Sequence, residues 1–290
     1  MKLKDILSVM RPEQWVKNLV LFAGVIFSEN LQDLNIFLKV SIAFVLFCLL
    51  SSAGYVINDI LDFKQDRQHP VKANRPIASG RLRRSQGIYL ACFLVVVSLA
   101  SSYVINVNFF IVALAYLWLN ICYSLFLKHI VIIDVMVIAV GFVLRAVAGA
   151  VVINVDISSW LIVCTILLAL FLGLGKRRHE IVLLERKADA HRRILTEYSL
   201  GFLDQMIAVV TSSTVVAYAF YTLSPEIVQK LGTRYMALTI PFVLYGIFRY
   251  LYLIHQKEEG GSPAKALLTD RPIIIDILLW LAAVILILYL

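Results

Sequence analysis

The stretch Tyr55-Val-Ile-Asn58-Asp59-Ile-Leu-Asp62-Phe-Lys-Gln-Asp66 closes an apolar run with the amide of Asn58 and three carboxylates. A helix turns about 100° per residue, so it places Asn58, Asp62 and Asp66 on one face. Carboxylate and amide oxygens are the ligands that Mg²⁺ prefers, and Mg²⁺ is usually held by one or two carboxylates together with substrate phosphates. Two carboxylates one turn apart repel each other unless a cation lies between them. This face predicts a metal and phosphate site at a helix end, although a short polar segment also fits a solvated loop.

The composition indicates a protein with several membrane spans. Of the 290 residues 61% are hydrophobic and 16% charged, and the mean hydropathy is +0.85. The net charge of +8 comes from bases that lie between apolar runs, which favours a membrane surface and a phosphorylated substrate over nucleic acid. The four cysteines each lie alone in an apolar run, so we expect neither a disulfide framework nor a cysteine metal site.

We predict an all-α membrane protein with one integral membrane domain over residues 1–290. Residues 1–13 carry apolar side chains at helical spacing among charged ones, which is typical of an interfacial helix, and no signal cleavage site follows. Apolar runs then predict nine spans, listed in chain order: about 15–29, 36–57, 86–105, 109–127, 131–153, 158–175, 203–223, 235–254 and 273–290.

The distribution of Lys and Arg predicts the orientation. The bases concentrate in every second connection: there are four up to Lys17, seven between the second and third spans, one between the fourth and fifth, seven between the sixth and seventh, and three between the eighth and ninth. The positive-inside rule places these connections in the cytoplasm. We therefore expect a multi-pass protein of the plasma membrane, with a cytoplasmic N-terminus and active site and the C-terminus outside.

Two basic segments flank the acidic stretch. Lys17 opens the first span, where it either contacts a phosphate at a cavity mouth or extends to the lipid headgroups. The run from His69 to Gly80 holds Lys72, Arg75, two prolines and a glycine, which predicts an ordered lid over the metal site.

The fifth span carries two ionisable side chains, Asp134 and Arg145. They lie eleven residues apart, close to three helical turns, so they share a face about 16 Å apart. Charges inside a span normally face a cavity or a partner. We expect Arg145 to face phosphate or ribose oxygens in a polar cavity; a structural ion pair within the bundle is the alternative. Tyr123 and Lys128 mark the cytoplasmic edge just before this span.

A second basic cluster follows the sixth span in Gly175-Lys176-Arg177-Arg178-His179-Glu180. Three adjacent bases followed by an acid indicate a direct electrostatic grip on an anion. Bases at a cytoplasmic helix end also fit ordinary membrane topology.

Five motifs together resemble the UbiA superfamily of intramembrane prenyltransferases, in its decaprenyl-phosphate phosphoribosyltransferase branch. They are Arg11-Pro-Glu-Gln-Trp-Val-Lys-Asn18, Asn58 to Asp66, His69 to Gly80, Tyr123 to Lys128, and Lys176 to Glu180. The resemblance implies a nine-helix bundle with a cytoplasm-facing cavity. Most members of the superfamily carry a second aspartate-rich motif where this chain has Lys-Arg-Arg, and this departure is what distinguishes the branch.

The resemblance also implies a reaction, in which 5-phosphoribosyl 1-diphosphate gives its phosphoribosyl group to a polyprenyl phosphate and diphosphate leaves. It implies Mg²⁺ as the cofactor, held by Asn58, Asp59, Asp62 and Asp66, with the three aspartates as the catalytic residues. Three side chains are expected to orient the sugar donor: Lys17, Tyr55 and Lys72. The candidates for the remaining phosphates are Arg75, Lys128, Arg145, Lys176, Arg177 and Arg178. Tyr123, Asp134 and Glu180 complete the expected substrate-binding set.

Two other functions stay open at this point. A UbiA-type prenyltransferase that uses a prenyl diphosphate and an aromatic acceptor would share the acidic motif and the fold, but the Lys-Arg-Arg segment argues against it. A transporter would also be polytopic and basic, but it would gather ionisable groups at mid-membrane. The expected partners are the sugar donor, the polyprenyl phosphate and membrane lipids, without nucleic acid; homo-oligomerisation remains open.

Overall fold

The computed structural model describes residues 2–68, 72–185, 197–257 and 261–290. Within these ranges every regular element is a helix, as the apolar composition predicts. The chain divides into two compact units, each described here by itself. The first comprises Met1–Val25 with Asp33–Asp156, and the second comprises Ile26–Gln32 with Ile157–Leu290. The single domain over residues 1–290 stays a prediction.

The first unit is built around one long helix. Its α-helices are α1 (Leu3–Met10), the start of α2 (Ala23–Phe27), α3 (Leu34–Leu61), α4 (Phe63–Gln68), α5 (Arg84–Ile105), α6 (Val107–Leu125) and α7 (Ile133–Val151). Three 3-10 helices are also described in this unit, at Pro12–Phe22, Lys72–Asn74 and Leu127–His129. Helix α3 packs against α1, α5, α6, α7 and the 3-10 helix Pro12–Phe22.

Side-chain caps fix where two of these helices begin. The carboxylate of Asp33 accepts hydrogen bonds from the backbone N–H groups of Asn35 (2.8 Å) and Ile36 (3.1 Å), at the start of α3. Asn106 caps α6 in the same way, with its side-chain oxygen 2.8 Å from the backbone nitrogen of Asn108. Each cap satisfies N–H groups that have no partner inside the helix, so it sets the helix start.

The second unit contains the remaining α-helices. They are α8 (Ser159–Glu185), α9 (Leu200–Leu223), α10 (Pro225–Leu231), α11 (Ile240–His255), α12 (Pro263–Thr269) and α13 (Arg271–Tyr289), with a 3-10 helix at Tyr235–Thr239 before α11. Helix α8 packs on α9, and α11 packs on α13. A buried polar contact joins three elements, because Trp280 donates to the Tyr218 hydroxyl (2.9 Å), which lies 2.7 Å from the Thr239 hydroxyl.

The multi-span prediction is confirmed, while the count of nine stays a prediction. Within the described ranges, eight helical segments are long and apolar enough to cross a membrane. These are Leu34–Leu61, Arg84–Ile105, Val107–Leu125, Ile133–Val151, Ser159–Val182, Leu200–Leu223, Tyr235–His255 and Arg271–Tyr289. The predicted first span, about 15–29, instead consists of the 3-10 helix Pro12–Phe22 followed by the short α2.

Two other predictions meet the structure only in part. A helix forms at Leu3–Met10 within the predicted interfacial segment, with Leu3 and Leu7 exposed and Val9 buried. Its position at a membrane surface stays a prediction. The predicted lid begins at His69, but residues 69–71 lie outside the described ranges.

A close backbone contact fixes the 3-10 helix Pro12–Phe22 against α7. A Cβ added at Gly149 would overlap the backbone carbonyl of Leu21. A few residues on, a Cβ at Gly24 would lie 3.0 Å from the backbone of Ala150. Small residues at these positions let two backbones approach without an intervening side chain, as in membrane helix pairs.

We expect Gly149→Ala to destabilise the protein, because the added methyl group overlaps backbone atoms of Leu21 in the 3-10 helix that packs on α7. Overpacking of this kind costs about 1–3 kcal/mol, so the midpoint of thermal unfolding in detergent should fall by several degrees. Gly201→Ala in α9 is the matched control, because among the described residues no heavy atom lies within 4 Å of an added Cβ there. Equal midpoints for the two variants would contradict the packing described.

Candidate active site

The acidic stretch lies where α3 passes into α4. Helix α3 ends at Leu61, Asp62 is its C-cap, and Asp66 lies in α4. The helical spacing continues through the junction, because the Asp62 N–H donates to the Asn58 carbonyl (2.9 Å) and the Asp66 N–H donates to the Asp62 carbonyl (2.8 Å). The side chains of Asp59, Asp62 and Asp66 are buried. The junction therefore gathers three carboxylates out of solvent.

Three bases neutralise these three carboxylates. The Arg75 Nη1 atom lies 3.0 Å from Asp59 Oδ1 and 2.6 Å from Asp66 Oδ2, so it bridges two acids. Arg11 Nη2 lies 2.5 Å from the same Asp59 oxygen. Lys128 Nζ lies 2.5 Å from Asp62 Oδ1. We call this set, Arg11, Asp59, Asp62, Asp66, Arg75 and Lys128, the charge cluster.

Separate chain segments carry these bases to α3. Arg75 follows the 3-10 helix Lys72–Asn74, with its N–H bonded to the Lys72 carbonyl at 2.9 Å. The segment after it is closed by a hydrogen bond from the Leu82 N–H to the Pro76 carbonyl (2.9 Å). Lys128 lies in the 3-10 helix that follows α6. The described part of the predicted lid is thus ordered and carries Arg75 into the charge cluster.

Arg11 is a member that the sequence did not single out, although it opens the first motif. It follows α1 in a left-handed backbone conformation with φ of 54°, and its guanidinium carbon lies 5.1 Å from the centre of the Tyr55 ring. Nearby, the Trp15 indole donates to the Ser52 hydroxyl (3.0 Å). The Ser52 hydroxyl in turn donates to the Met10 carbonyl (2.9 Å). These contacts hold the end of α1 against α3.

The charge cluster has the donor chemistry of a magnesium site. Among the described residues, the Oδ2 atom of Asp59 is buried and has no hydrogen-bond partner, so one carboxylate lone-pair direction is available for a ligand. In the same ranges no three acidic, His or Cys side chains are gathered as a group that could hold a metal ion, and the three carboxylates are instead paired with bases. A metal ion that binds these carboxylates would therefore have to displace bases from them.

Arg145 lies in a network of neutral groups. Its Nε atom donates to the Asn18 side-chain oxygen (2.7 Å), Nη1 to the Gly141 carbonyl (2.9 Å) and Nη2 to the Tyr116 hydroxyl (2.6 Å). The guanidinium lies 4.7 Å from the centre of the Tyr116 ring and 5.1 Å from that of Phe142. These partners orient the side chain and leave its positive charge in place.

The other candidates of the first unit occupy several elements. Lys17 lies in the 3-10 helix Pro12–Phe22, Tyr55 and Asn58 in α3, Lys72 in the 3-10 helix before Arg75, and Tyr123 near the end of α6; all five are half-buried. Asp134 is fully buried in the first turn of α7. Their roles toward substrates stay predictions.

The predicted basic grip in the second unit divides into three unlike environments along α8. Arg177 is 1% exposed, with Nη1 2.5 Å from Glu180 Oε2. The Lys176 side chain is 43% exposed, 3.9 Å from the other Glu180 oxygen. Arg178 Nε lies 2.6 Å from Asp204 Oδ1 on α9. Since successive helical residues diverge by about 100°, the three bases do not share one face.

A further ion pair joins α11 to the start of α13. The Arg249 guanidinium donates to both carboxylate oxygens of Asp270, at 3.1 and 2.8 Å, and lowers the pKa of that carboxyl. Asp270 also caps α13, because it accepts a hydrogen bond from the Ile273 N–H (3.0 Å). A lowered pKa means that the pair stabilises the fold at neutral pH and that this stabilisation is lost as the pH falls through the folded-state pKa.

Comparison with known proteins identifies relatives of this architecture. The model of the UbiA prenyltransferase family matches residues 19–270. The decaprenyl-phosphate phosphoribosyltransferase of Mycolicibacterium smegmatis is 32% identical, over 96% of this chain and 91% of that protein. The enzyme of the same name from Corynebacterium glutamicum is 31% identical, over 98% and 86%. A UbiA homologue from Archaeoglobus fulgidus, solved with GPP and Mg²⁺, has the same fold, with a TM-score of 0.73, 19% identity and 99% and 100% coverage.

We expect Arg177→Ala and Lys176→Ala to differ sharply in their effect on stability. The first removes a fully buried side chain and leaves a cavity, which costs about 2 kcal/mol or more. The second removes a side chain that is nearly half exposed, so its cost should stay below about 0.5 kcal/mol. Thermal unfolding of the two purified variants in detergent measures the difference. Similar midpoints would mean that Arg177 is not part of the packed interior of the second unit.

Proposed function

The chain belongs to the UbiA prenyltransferase family, and on this premise we propose that it transfers a 5-phosphoribosyl group from 5-phosphoribosyl 1-diphosphate to a polyprenyl phosphate, with release of diphosphate. The observation that carries the proposal is the charge cluster, in which Arg11, Arg75 and Lys128 balance the acidic motif. A donor with three phosphoryl groups and an acceptor with one need positive charge close to the acidic motif, and these three bases supply it. Relatives that bear this activity in their names match almost the whole chain.

The proposed reaction needs electrostatic help more than proton transfer. The bond from C1 of the ribose to the diphosphate oxygen breaks, and an oxygen of the lipid phosphate forms a new bond to C1. A phosphate monoester is already an anion at neutral pH, so the acceptor does not require a general base. Negative charge develops on the leaving diphosphate and positive charge on the sugar ring, and preorganised charges stabilise such a transition state.

We assign roles to the residues on this basis. Asn58, Asp59, Asp62 and Asp66 would hold Mg²⁺, which when bound neutralises charge on the diphosphate. Arg75 and Lys128 lie against those carboxylates, so they are placed to bind diphosphate oxygens. Lys17, Tyr55 and Lys72 would orient the donor. Arg145 would attract a further phosphate, because its hydrogen-bond partners Asn18 and Tyr116 are neutral and do not cancel its positive charge.

The second unit would contribute phosphate binding through Lys176 and Arg178. Lys176 is the more exposed of the bases there, so it can reach a ligand at the lowest cost in stability. Arg177 would act through Glu180, which it contacts. The protein would lie in the plasma membrane with its acidic motif on the cytoplasmic side, and the prenyl tail of the acceptor would stay among lipid acyl chains.

The proposed function is tested by an assay of the purified protein with Mg²⁺, decaprenyl phosphate and donor that is radiolabelled in the ribose. We expect label in the organic phase, and EDTA should abolish it. A parallel reaction contains a prenyl diphosphate and an aromatic acceptor. Absence of label in the first reaction with product in the second would overturn phosphoribosyl transfer in favour of a conventional prenyltransferase.

We expect Asp66→Asn to reduce the transfer rate at least about a hundredfold, because it removes a proposed ligand of the metal from an electrostatically preorganised site. The protein should stay folded, because Arg75 keeps its contact with Asp59. Asp33→Asn at the other end of α3 is the matched control: it also removes one carboxylate, and Asn is as good a cap. Rates are measured at limiting and at saturating Mg²⁺. A near-normal rate for Asp66→Asn at limiting Mg²⁺ would remove the basis for this assignment.

A further inference from the structure

The charge cluster is balanced by the protein's own side chains. Asp59, Asp62 and Asp66 contribute three negative charges, and Arg11, Arg75 and Lys128 contribute three positive ones. All three carboxylates are buried. A divalent cation that approaches such a set meets no net negative charge, so Coulomb attraction alone does not favour its binding.

A cation gains these carboxylates only if bases leave them. Removing one partner from a buried ion pair is strongly unfavourable, because the other is left without compensation. The same cost applies to each displaced base unless it finds another anion within reach. A diphosphate that enters with the cation supplies that anion, and Mg²⁺ commonly binds proteins through carboxylates and substrate phosphates together.

Arg75 and Lys128 are the two bases best placed for such an exchange. Arg75 makes both of its carboxylate contacts through Nη1 and its side chain is 24% exposed, so it can turn toward a ligand without leaving the loop. The Lys128 side chain is only 3% exposed, which means that it can leave Asp62 only for an anion that binds beside it. Arg11 is held differently, over the Tyr55 ring at the end of α1.

We propose that Arg75 and Lys128 are exchangeable counter-ions, which pass from the carboxylates to the phosphate oxygens of the donor when a divalent cation binds. The cluster then takes up the cation and the diphosphate together and neither one alone. This inference rests on the proposed function only in that the donor carries a diphosphate group.

The test measures binding by the full-length protein in detergent, without sugar or lipid substrate. Equilibrium dialysis compares radioactive Mn²⁺ alone, radioactive diphosphate alone in EDTA, and the two together. We expect retention of both labels in the third arm with an affinity at least about tenfold above that of either alone. Retention of Mn²⁺ alone within twofold of its affinity in the presence of diphosphate would overturn the proposal.

Variants identify the side chains responsible. Arg75→Gln and Lys128→Gln each leave one uncompensated acid, so we expect at least about tenfold tighter retention of Mn²⁺ alone, and a smaller gain from diphosphate. Arg75→Lys keeps the charge and should resemble the wild type. Arg83→Gln is the matched control, because it removes an exposed charge beyond the same loop. A folded Arg75→Gln protein with unchanged affinity for Mn²⁺ alone would contradict the exchange.

Two further readouts keep the result decisive. Size-exclusion profiles establish which variants are folded, and the three-arm comparison on the wild type decides the coupling even if a variant unfolds. Paired binding of metal and diphosphate without phosphoribosyl transfer would leave this inference standing for another diphosphate donor. Transfer with independent binding of the two ligands would leave the proposed function standing and remove the exchange.

Discussion

Burial of three carboxylates at the end of one membrane helix obliges the chain to bring positive charge to them. Isolated ionised groups in a low-dielectric interior are costly, and pairing with hydrogen-bonded bases is the usual remedy. The bases come from the end of α1, from the loop after α4 and from the 3-10 helix after α6. The positions of these segments in the first unit are therefore inseparable from the electrostatics of Asp59, Asp62 and Asp66.

A second polar network connects other elements of the first unit. In this network the base is bound by neutral groups instead of carboxylates. Arg145 on α7 bonds to Asn18 and to Tyr116, while the Asn18 amide donates toward Cys48 and Ser51 of α3 at 3.3 Å. The guanidinium is oriented by dipoles and aromatic faces, which satisfy its N–H groups without cancelling its charge. The charge cluster is neutralised internally, whereas these contacts leave Arg145 able to attract an anion.

Much of the fold could be predicted from the sequence, because membrane-spanning helices are recognisable as long apolar runs. The first predicted span is helical, but it is not one continuous α-helix. The apolar run at 15–29 predicts a spanning helix, but the chain there forms a 3-10 helix that begins at Pro12, contains the buried Asn18 and packs against α7 through Gly149. Periodicity alone does not reveal a backbone contact with a residue more than a hundred positions away.

The candidate site shows the same division between local and long-range information. The acidic motif and each base except Arg11 could be found from residue type and spacing, but their pairing could not. Arg75 bridges Asp59 and Asp66, and Lys128 contacts Asp62 from a segment 66 residues further along the chain. No local pattern specifies which base meets which acid; the tertiary packing of the loop and of α6 on α3 decides it.

The three bases of the Lys-Arg-Arg segment are adjacent in sequence but lie in different environments. Three adjacent bases look like one grip on an anion, yet a helix distributes them over most of its circumference. Arg177 is directed into the second unit, where it is buried and contacts Glu180, while the Lys176 side chain is 43% exposed and Arg178 contacts Asp204. Because three consecutive helical residues point in different directions, one or two of these bases can face a common ligand. The sequence locates the segment, whereas the burial of each side chain depends on how α8 packs in the second unit.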